Sequence, residues 1–228
     1  MSHWSDALAV FDLETTGIDV ETSRIVTATV AVLDAHGEVQ ERTDWLLNPG
    51  VEIPAEATAV HGITTEHAAR YGSPAIDGIA EIVGILRAHL GRGLPLVAYN
   101  APYDITLLNR EAMRHGIPPL SGPSPVIDPL VIDKAVDRYR RGKRTLAVTS
   151  AFYGITLDDA HDSGADAIAA GRVAQAIARV HRTLLPPTAS ELHDLQVGWC
   201  RQQAESFQEY MRRERDPQFT AASGWPER

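Results

Sequence analysis

The hydrophobic period of this 228-residue chain first changes at Asn48-Pro49-Gly50, and that change restricts the folds open to it. Ahead of it, Leu8 to Leu13 is a short apolar run closed by Thr15-Thr16-Gly17. Ile25 to Leu33 is rich in Val and Thr, and Val39 to Leu47 follows the break Ala35-His36-Gly37. Runs of this kind between turn residues predict three successive strands in an antiparallel meander. Beyond Gly50 the spacing becomes helical: Ile76, Ile79, Ile82, Val83, Leu86 and Leu90, with Ser73 as N-cap, Pro74 at the first helical position and Gly91 and Gly93 as stop signals. Leu94 to Tyr99 predicts a strand, and Ile105, Leu107, Leu108 and Met113 predict a helix ending near His115-Gly116. Val126-Ile127 predicts a short strand, Pro129 to Val136 a helix and Leu146 to Tyr153 another. A long Ala-rich helix is predicted from about Ala165 to Leu184, with Ile168, Val173, Ile177 and Val180 facing the core. A meander followed by alternating helices and strands gives an α/β fold, a mixed sheet flanked by helices. Leu184-Leu185-Pro186-Pro187-Thr188 reads as a linker, dividing a domain over 1–185 from an extension over 186–228 in which Leu192, Leu195, Trp199 and Tyr210 suggest one more helix.

Composition narrows the function classes. The single cysteine, Cys200, excludes an internal disulfide and a Cys-rich zinc site. Met1 to Asp6 lacks the basic and apolar regions of a signal peptide, and no apolar run approaches the roughly 20 residues of a membrane span, so a cytoplasmic protein is expected. A net charge of −9 argues against broad binding of nucleic acid through a basic surface. One stretch breaks the trend: Arg138 to Arg144 holds five basic residues and no acidic one. It reads equally as a solvated loop or as a phosphate contact near an active site.

The acidic residues are more selective. Asp12 and Glu14 lie two apart on a predicted strand, so both carboxylates point the same way. Adjacent carboxylates at the end of a buried strand repel, and a bound cation would offset the cost. Asp104 follows a strand end at Tyr99 and falls in the first turn of the helix begun by Pro102, aimed at the carboxyl edge of the sheet. Helix-dipole complementarity alone, about 0.3–1 kcal/mol, would also account for an acid there. His161 and Asp166 open the Ala-rich helix, in a region that also holds Asp158, Asp159 and Asp162. Oxygen donors at this density suit Mg²⁺ or Mn²⁺ rather than zinc. Two such ions about 4 Å apart can activate a water and stabilise a leaving oxygen, and a His with a pKa near about 6.5 suits the general base.

Phe11-Asp12-Leu13-Glu14-Thr15-Thr16-Gly17, Asn100-Ala101-Pro102-Tyr103-Asp104, and His161 followed by Asp166, in this order and spacing, resemble the three motifs of the DEDDh (DnaQ-like) 3′→5′ exonucleases. That family includes the proofreading epsilon subunit of bacterial DNA polymerase III and several RNA-trimming enzymes. The resemblance covers roughly residues 7–184. It implies an RNase H-like exonuclease fold with a five-stranded mixed sheet. It also implies that Asp12, Glu14, Asp104 and Asp166 hold two divalent cations, Mg²⁺ or Mn²⁺, and that His161 is the general base. Asn48-Pro49 and Val60-His61-Gly62-Ile63-Thr64 resemble a family segment lining the pocket for the 3′-terminal nucleotide. Substrate-side roles are thereby implied for Leu13, Thr15, Thr16, His61, Asn100 and Tyr103, and a structural role for Asp128. The implied substrate is a single-stranded or frayed 3′ end of DNA, cleaved to nucleoside 5′-monophosphates, with a DNA polymerase as candidate partner. The alternatives are trimming of RNA 3′ ends, or a silent exonuclease fold used as a binding module. Loss of a metal carboxylate would mark the silent case, and all five positions are filled. The chain departs from many members at Asp162, which adds negative charge beside His161.

Overall fold

The computed structural model describes residues 3–157 and 162–228. Three long strands form the predicted meander: β1 (Leu8–Thr15), β2 (Ile25–Leu33) and β3 (Val39–Asn48). β2 runs antiparallel to both neighbours, with Asp12 opposite Thr29 and Glu14 opposite Thr27. Two helices follow, α1 (Ala55–His61) and α2 (Thr65–Tyr71), then the two-residue strand β4 (Ser73–Pro74) and α3 (Ala75–Gly91). The chain continues through β5 (Leu96–Val97), α4 (Ala101–Arg114), β6 (Val126–Ile127), α5 (Pro129–Val136), α6 (Leu146–Phe152), α7 (Ser163–Val180) and α8 (Ala189–Glu214). The strand order is β4-β3-β2-β1-β5-β6, with β5 and β6 parallel to β1. The mixed sheet flanked by helices is the fold class that the sequence predicts, with six strands in place of five.

The extra strand displaces the expected cap of α3. Ser73 and Pro74 pair with Leu47 and Asn48, so Pro74 takes the N-cap position and Ser73 makes no cap. Gly72 permits the pairing, because a Cβ there would sit 2.6 Å from the backbone of Leu47 and Asn48. α1 and α2 have no counterpart in the hydrophobic pattern. α1 buries no residue and α2 buries only Ala68, so neither carries an apolar stripe that periodicity could detect.

β1 is central and apolar on both faces. Ala9, Phe11 and Leu13 enter the core shared with α3 and α4, while Leu8 and Val10 enter the core under α7. α7 lies close to the sheet, since a Cβ on Gly171 would come within 2.5 Å of Val10 and Leu33 side-chain atoms. This close approach explains the Ala-rich sequence, and Ala167, Ala170, Ala174 and Ala178 pack beside Val173 and Ile177. Val180, expected in the core, is 65% exposed at the helix end, and Ile76 and Met113 are also exposed.

β6 would present an open sheet edge, and α8 covers it. The His193 Nδ1 accepts from the Val126 N–H (3.0 Å), the Gln196 amide donates to the Val126 carbonyl (3.0 Å), and the Gln196 Oε1 accepts from the Asp128 N–H (2.7 Å). The last residues return to the core: Trp225 is buried beside His193, and the Arg228 N–H donates to the Thr106 hydroxyl. Among the described residues no helix is long and apolar enough to cross a membrane.

Gln196 is fully buried, so Gln196→Ala strands the Val126 carbonyl and the Asp128 N–H away from water. The expected loss is about 2–4 kcal/mol in urea unfolding. A loss under about 0.5 kcal/mol would show that α8 does not seal this edge.

Candidate active site

The alternation along β1 builds the site. Asp12 and Glu14 continue the row of Leu8 and Val10, on the face that carries α7. The first turn of α7 supplies Asp166 at the same edge. One oxygen from each of Asp12, Glu14 and Asp166 lies within 4.8 Å of the others. Asp104 arrives from α4, which packs on the opposite face, and is 4% exposed. It lies outside the three-oxygen cluster and accepts from the Leu13 backbone N–H and its own. After burial, Asp104 is nonetheless the main influence raising the pKa of Asp12.

Crowded carboxyl groups resist ionisation. Burial, followed by the charges of Asp104, Glu14, Asp166 and Asp162, holds the Asp12 carboxyl well above its ordinary range. Burial, then Asp166 and Asp162, pushes Glu14 up to about 8. Burial raises Asp104, partly countered by its backbone N–H donors. The donors are all hard oxygens, and the charge they accumulate is the kind that a divalent cation relieves. The residues therefore fit a divalent metal centre, with Asp12, Glu14 and Asp166 as the candidate ligands and Asp104 beside them.

The loop ahead of α4 is held by an unusual device. Asn100 has a left-handed backbone (φ 66°, ψ 46°), the only non-glycine residue at positive φ among those described, and α4 has no side-chain cap. The buried Asp128 carboxylate takes that role, accepting from the N–H groups of Asn100, Ala101 and Leu130 at 3.0 Å each. Asp128 thus ties the start of α4, and Asp104 with it, to the start of α5. A second knot closes the β1 end. The Tyr103 hydroxyl donates to the Gly17 carbonyl (2.5 Å) and lies 2.6 Å from the Thr15 hydroxyl, and the Thr16 hydroxyl accepts from the Arg24 N–H (2.9 Å). The Leu13 side chain is in the core, which leaves its backbone as the part that reaches the site.

His61 ends α1, its Nδ1 accepting from the Ile63 N–H (3.1 Å). It lines a cavity of about 440 Å³ with Thr27, Arg42, Trp45, Asp162 and Ser163. Thr27 is the cross-strand partner of Glu14, so the cavity adjoins the carboxylates. Nothing in the linear sequence marks Arg42, whose neighbours Glu41 and Asp44 make it look like one charge on a solvated strand. Here it pairs with Asp44 (2.8 Å) and turns toward the start of α7. Asp162 is the N-cap of α7, its side chain accepting from the Ala165 N–H (2.9 Å). His161 lies outside the described residues.

The basic stretch divides. Arg140 and Arg144 fold inward onto the fully buried Asp133, which also accepts from the Tyr153 hydroxyl (3.0 Å). Arg138, Arg141 and Lys143 stay exposed.

Residues 9–174 match the exonuclease family model RNase_T. The chain belongs to the exonuclease family. The chain is 32% identical over 168 residues to the PolC-type DNA polymerase III of Streptococcus thermophilus, and 30% over 167 residues to that of Streptococcus pyogenes. These matches take in 72% of this chain and 10% of either polymerase, so the exonuclease chain spans about a tenth of the curated relatives' length. Escherichia coli exonuclease I in complex with a dA16 oligonucleotide superimposes with a TM-score of 0.68 at 18% identity, covering 78% of this chain and 42% of that one. The nuclease domain of 3′hExo, a DEDDh family member bound to rAMP, gives 0.65 at 15% identity, covering 79% and 95%. The DnaQ-like resemblance and the RNase H-like exonuclease fold are borne out.

Glu14 sets a pH dependence for this exonuclease domain without metal. Its carboxyl titrates near 4.5 unfolded and about 8 folded, so between those values the native state binds more protons. Stability therefore falls as pH rises through that window. The melting temperature is expected to decline from pH 5 to pH 8, and less so in Glu14→Gln. Added Mn²⁺ should raise it more at pH 8 than at pH 6. A Mn²⁺ shift that is flat across this range would contradict the assignment.

Proposed function

We propose that this domain is a 3′→5′ exonuclease that removes nucleotides from single-stranded or frayed 3′ ends of DNA, releasing nucleoside 5′-monophosphates. The observation that carries the reading is the meeting of Asp12, Glu14 and Asp166 oxygens within 4.8 Å at the end of the central strand, in a chain of the exonuclease family. DNA is favoured because the similar proteins include PolC-type DNA polymerases III and exonuclease I in complex with dT13 and dA16.

Asp12, Glu14, Asp104 and Asp166 would hold two divalent cations, Mg²⁺ or Mn²⁺. Such cations, when bound, ease deprotonation of water and neutralise charge building on the leaving oxygen. His161, five residues before Asp166, is assigned as the base that accepts the proton of the attacking water. The water oxygen joins the terminal phosphorus, and the bond to the O3′ of the preceding nucleotide breaks. The Thr15 hydroxyl, within 2.6 Å of the Tyr103 hydroxyl, is assigned to the terminal 3′-OH, and the cavity beside His61 to the terminal nucleotide. A DNA polymerase is the proposed partner, in line with the PolC-type relatives.

The test is a 5′-labelled single-stranded DNA incubated with Mn²⁺ and the protein, beside Asp12→Ala and beside a matched RNA strand. The expected result is a ladder shortening from the 3′ end on DNA, with the rate lost by about a thousandfold or more in the variant. Equal degradation by both proteins, or none of either strand by the wild type, would sink the reading.

A further inference from the structure

Two cavities of about 540 and 330 Å³ lie along α8, away from the carboxylates. Lys134, Gln203 and Phe207 line both, so the two are one continuous groove. One end opens beside Asn100 and Pro102, just ahead of Asp104 on α4. The other runs between α5, with Lys134 and Arg138, and α8, with Trp199, Phe207 and Tyr210. Residues 199, 203, 207 and 210 follow helical i+4 and i+3 steps and share one face of α8. Phe207 and Tyr210 are 51% and 46% exposed, although Phe207 rests edge-on against Phe219.

The chemistry of the lining selects the occupant. The chain carries a net charge of −9, yet the larger cavity has two cations and no acidic residue. Lys134 and Arg138 form no salt bridge among the described residues, whereas Arg140 and Arg144 nearby are bound to Asp133. In the smaller cavity the only acidic side chain among the described residues is Asp128, buried and holding backbone N–H groups. The apolar part of the larger cavity is aromatic apart from Ala135 and the aliphatic stems. Flat aromatic faces beside unpaired cations suit bases and phosphates, and the aliphatic residues Leu130 and Val131 line only the smaller cavity.

We propose that this groove holds the single strand upstream of the 3′ end, with bases stacked on Trp199, Phe207 and Tyr210 and phosphates at Lys134 and Arg138. The inference rests on the exonuclease reading and adds a substrate track whose aromatic wall lies outside the matched family region, since α8 begins at Ala189 and that region ends at residue 174. It also supplies local attraction that the acidic chain otherwise lacks.

The test separates this track from the chemistry. Fluorescence anisotropy in EDTA, where no strand is cut, measures binding of labelled oligothymidylates of about 4 and about 16 nucleotides. The wild type is expected to bind the longer strand more tightly, with a steep salt dependence. Lys134→Glu/Arg138→Glu and, separately, Phe207→Ala/Tyr210→Ala should weaken binding of the longer strand by at least about fivefold and abolish the length preference. Arg179→Glu/Arg182→Glu, at the end of α7 and just beyond it, makes the same change in charge and should keep it. Circular dichroism melts check that each variant is folded. Length preference kept in both groove variants, or none in the wild type, overturns the track. A peptide or protein as true occupant would give that same result. Cleavage of the short strand in Mn²⁺ is scored separately, so loss of the exonuclease reading and loss of the track are told apart.

Discussion

Asp12, Glu14, Asp104 and Asp166 gather carboxyl groups around the end of β1, where burial, and then neighbouring carboxylates, make Asp12, Glu14 and Asp104 harder to ionise. An ordinary core would expel such a cluster or protonate it. This fold holds it because the surrounding elements are fixed for other reasons. β1 is sealed on both faces by apolar side chains, and α7 is pressed to the sheet at Gly171. The packing energy of two core layers is set against the repulsion of one edge, and the repulsion becomes a standing demand for cations.

The position of Asp104 depends on a chain of buried hydrogen bonds reaching back to α8. Gln196 holds the Asp128 N–H, and the Asp128 carboxylate holds the left-handed turn at Asn100 that starts α4. Gln196 and Asp128 are fully buried and their side chains are hydrogen-bonded, which makes the arrangement rigid. A helix outside the matched exonuclease region is therefore built into the support of one of the acidic residues at the site.

How much of this was legible in the sequence depended on whether the signal was local. The meander, α5, α7 and the paired direction of Asp12 and Glu14 follow from residue periodicity, and the structure has them there, with α7 ending at Val180 rather than Leu184. The strand at Leu94 to Tyr99 shrinks to Leu96–Val97, which pairs over two residues with β1 on one side and β6 on the other. α1 and α2 were hidden because they bury almost nothing. The run from Arg138 to Arg144 misleads as a charge count, since two of its arginines are drawn inside by Asp133. The signal for that lay in Asp133 itself, an acid set in the apolar run Leu130-Val131-Ile132. The groove between α5 and α8 joins residues some seventy positions apart, as does the Gln196–Asp128 contact, and no local pattern encodes either.

Asp162 shows how a helix end and a charged site compete for one residue. As the N-cap of α7 it satisfies the Ala165 N–H, a contribution of about 1 kcal/mol. Ser, Thr or Asn would serve that cap without a charge, so the helix alone does not require an acid there. The carboxylate instead adds to the field that raises Asp12 and Glu14, and it favours the charged form of Arg42 across the cavity beside His61. Asp162 therefore increases the demand for cations on one side and, after Asp44, favours the charged guanidinium of Arg42 on the other. If the cavity takes an anionic nucleotide, as proposed, the neighbouring carboxyl groups call for a counter-charge, and Arg42 is the one arginine or lysine among the described residues that line it.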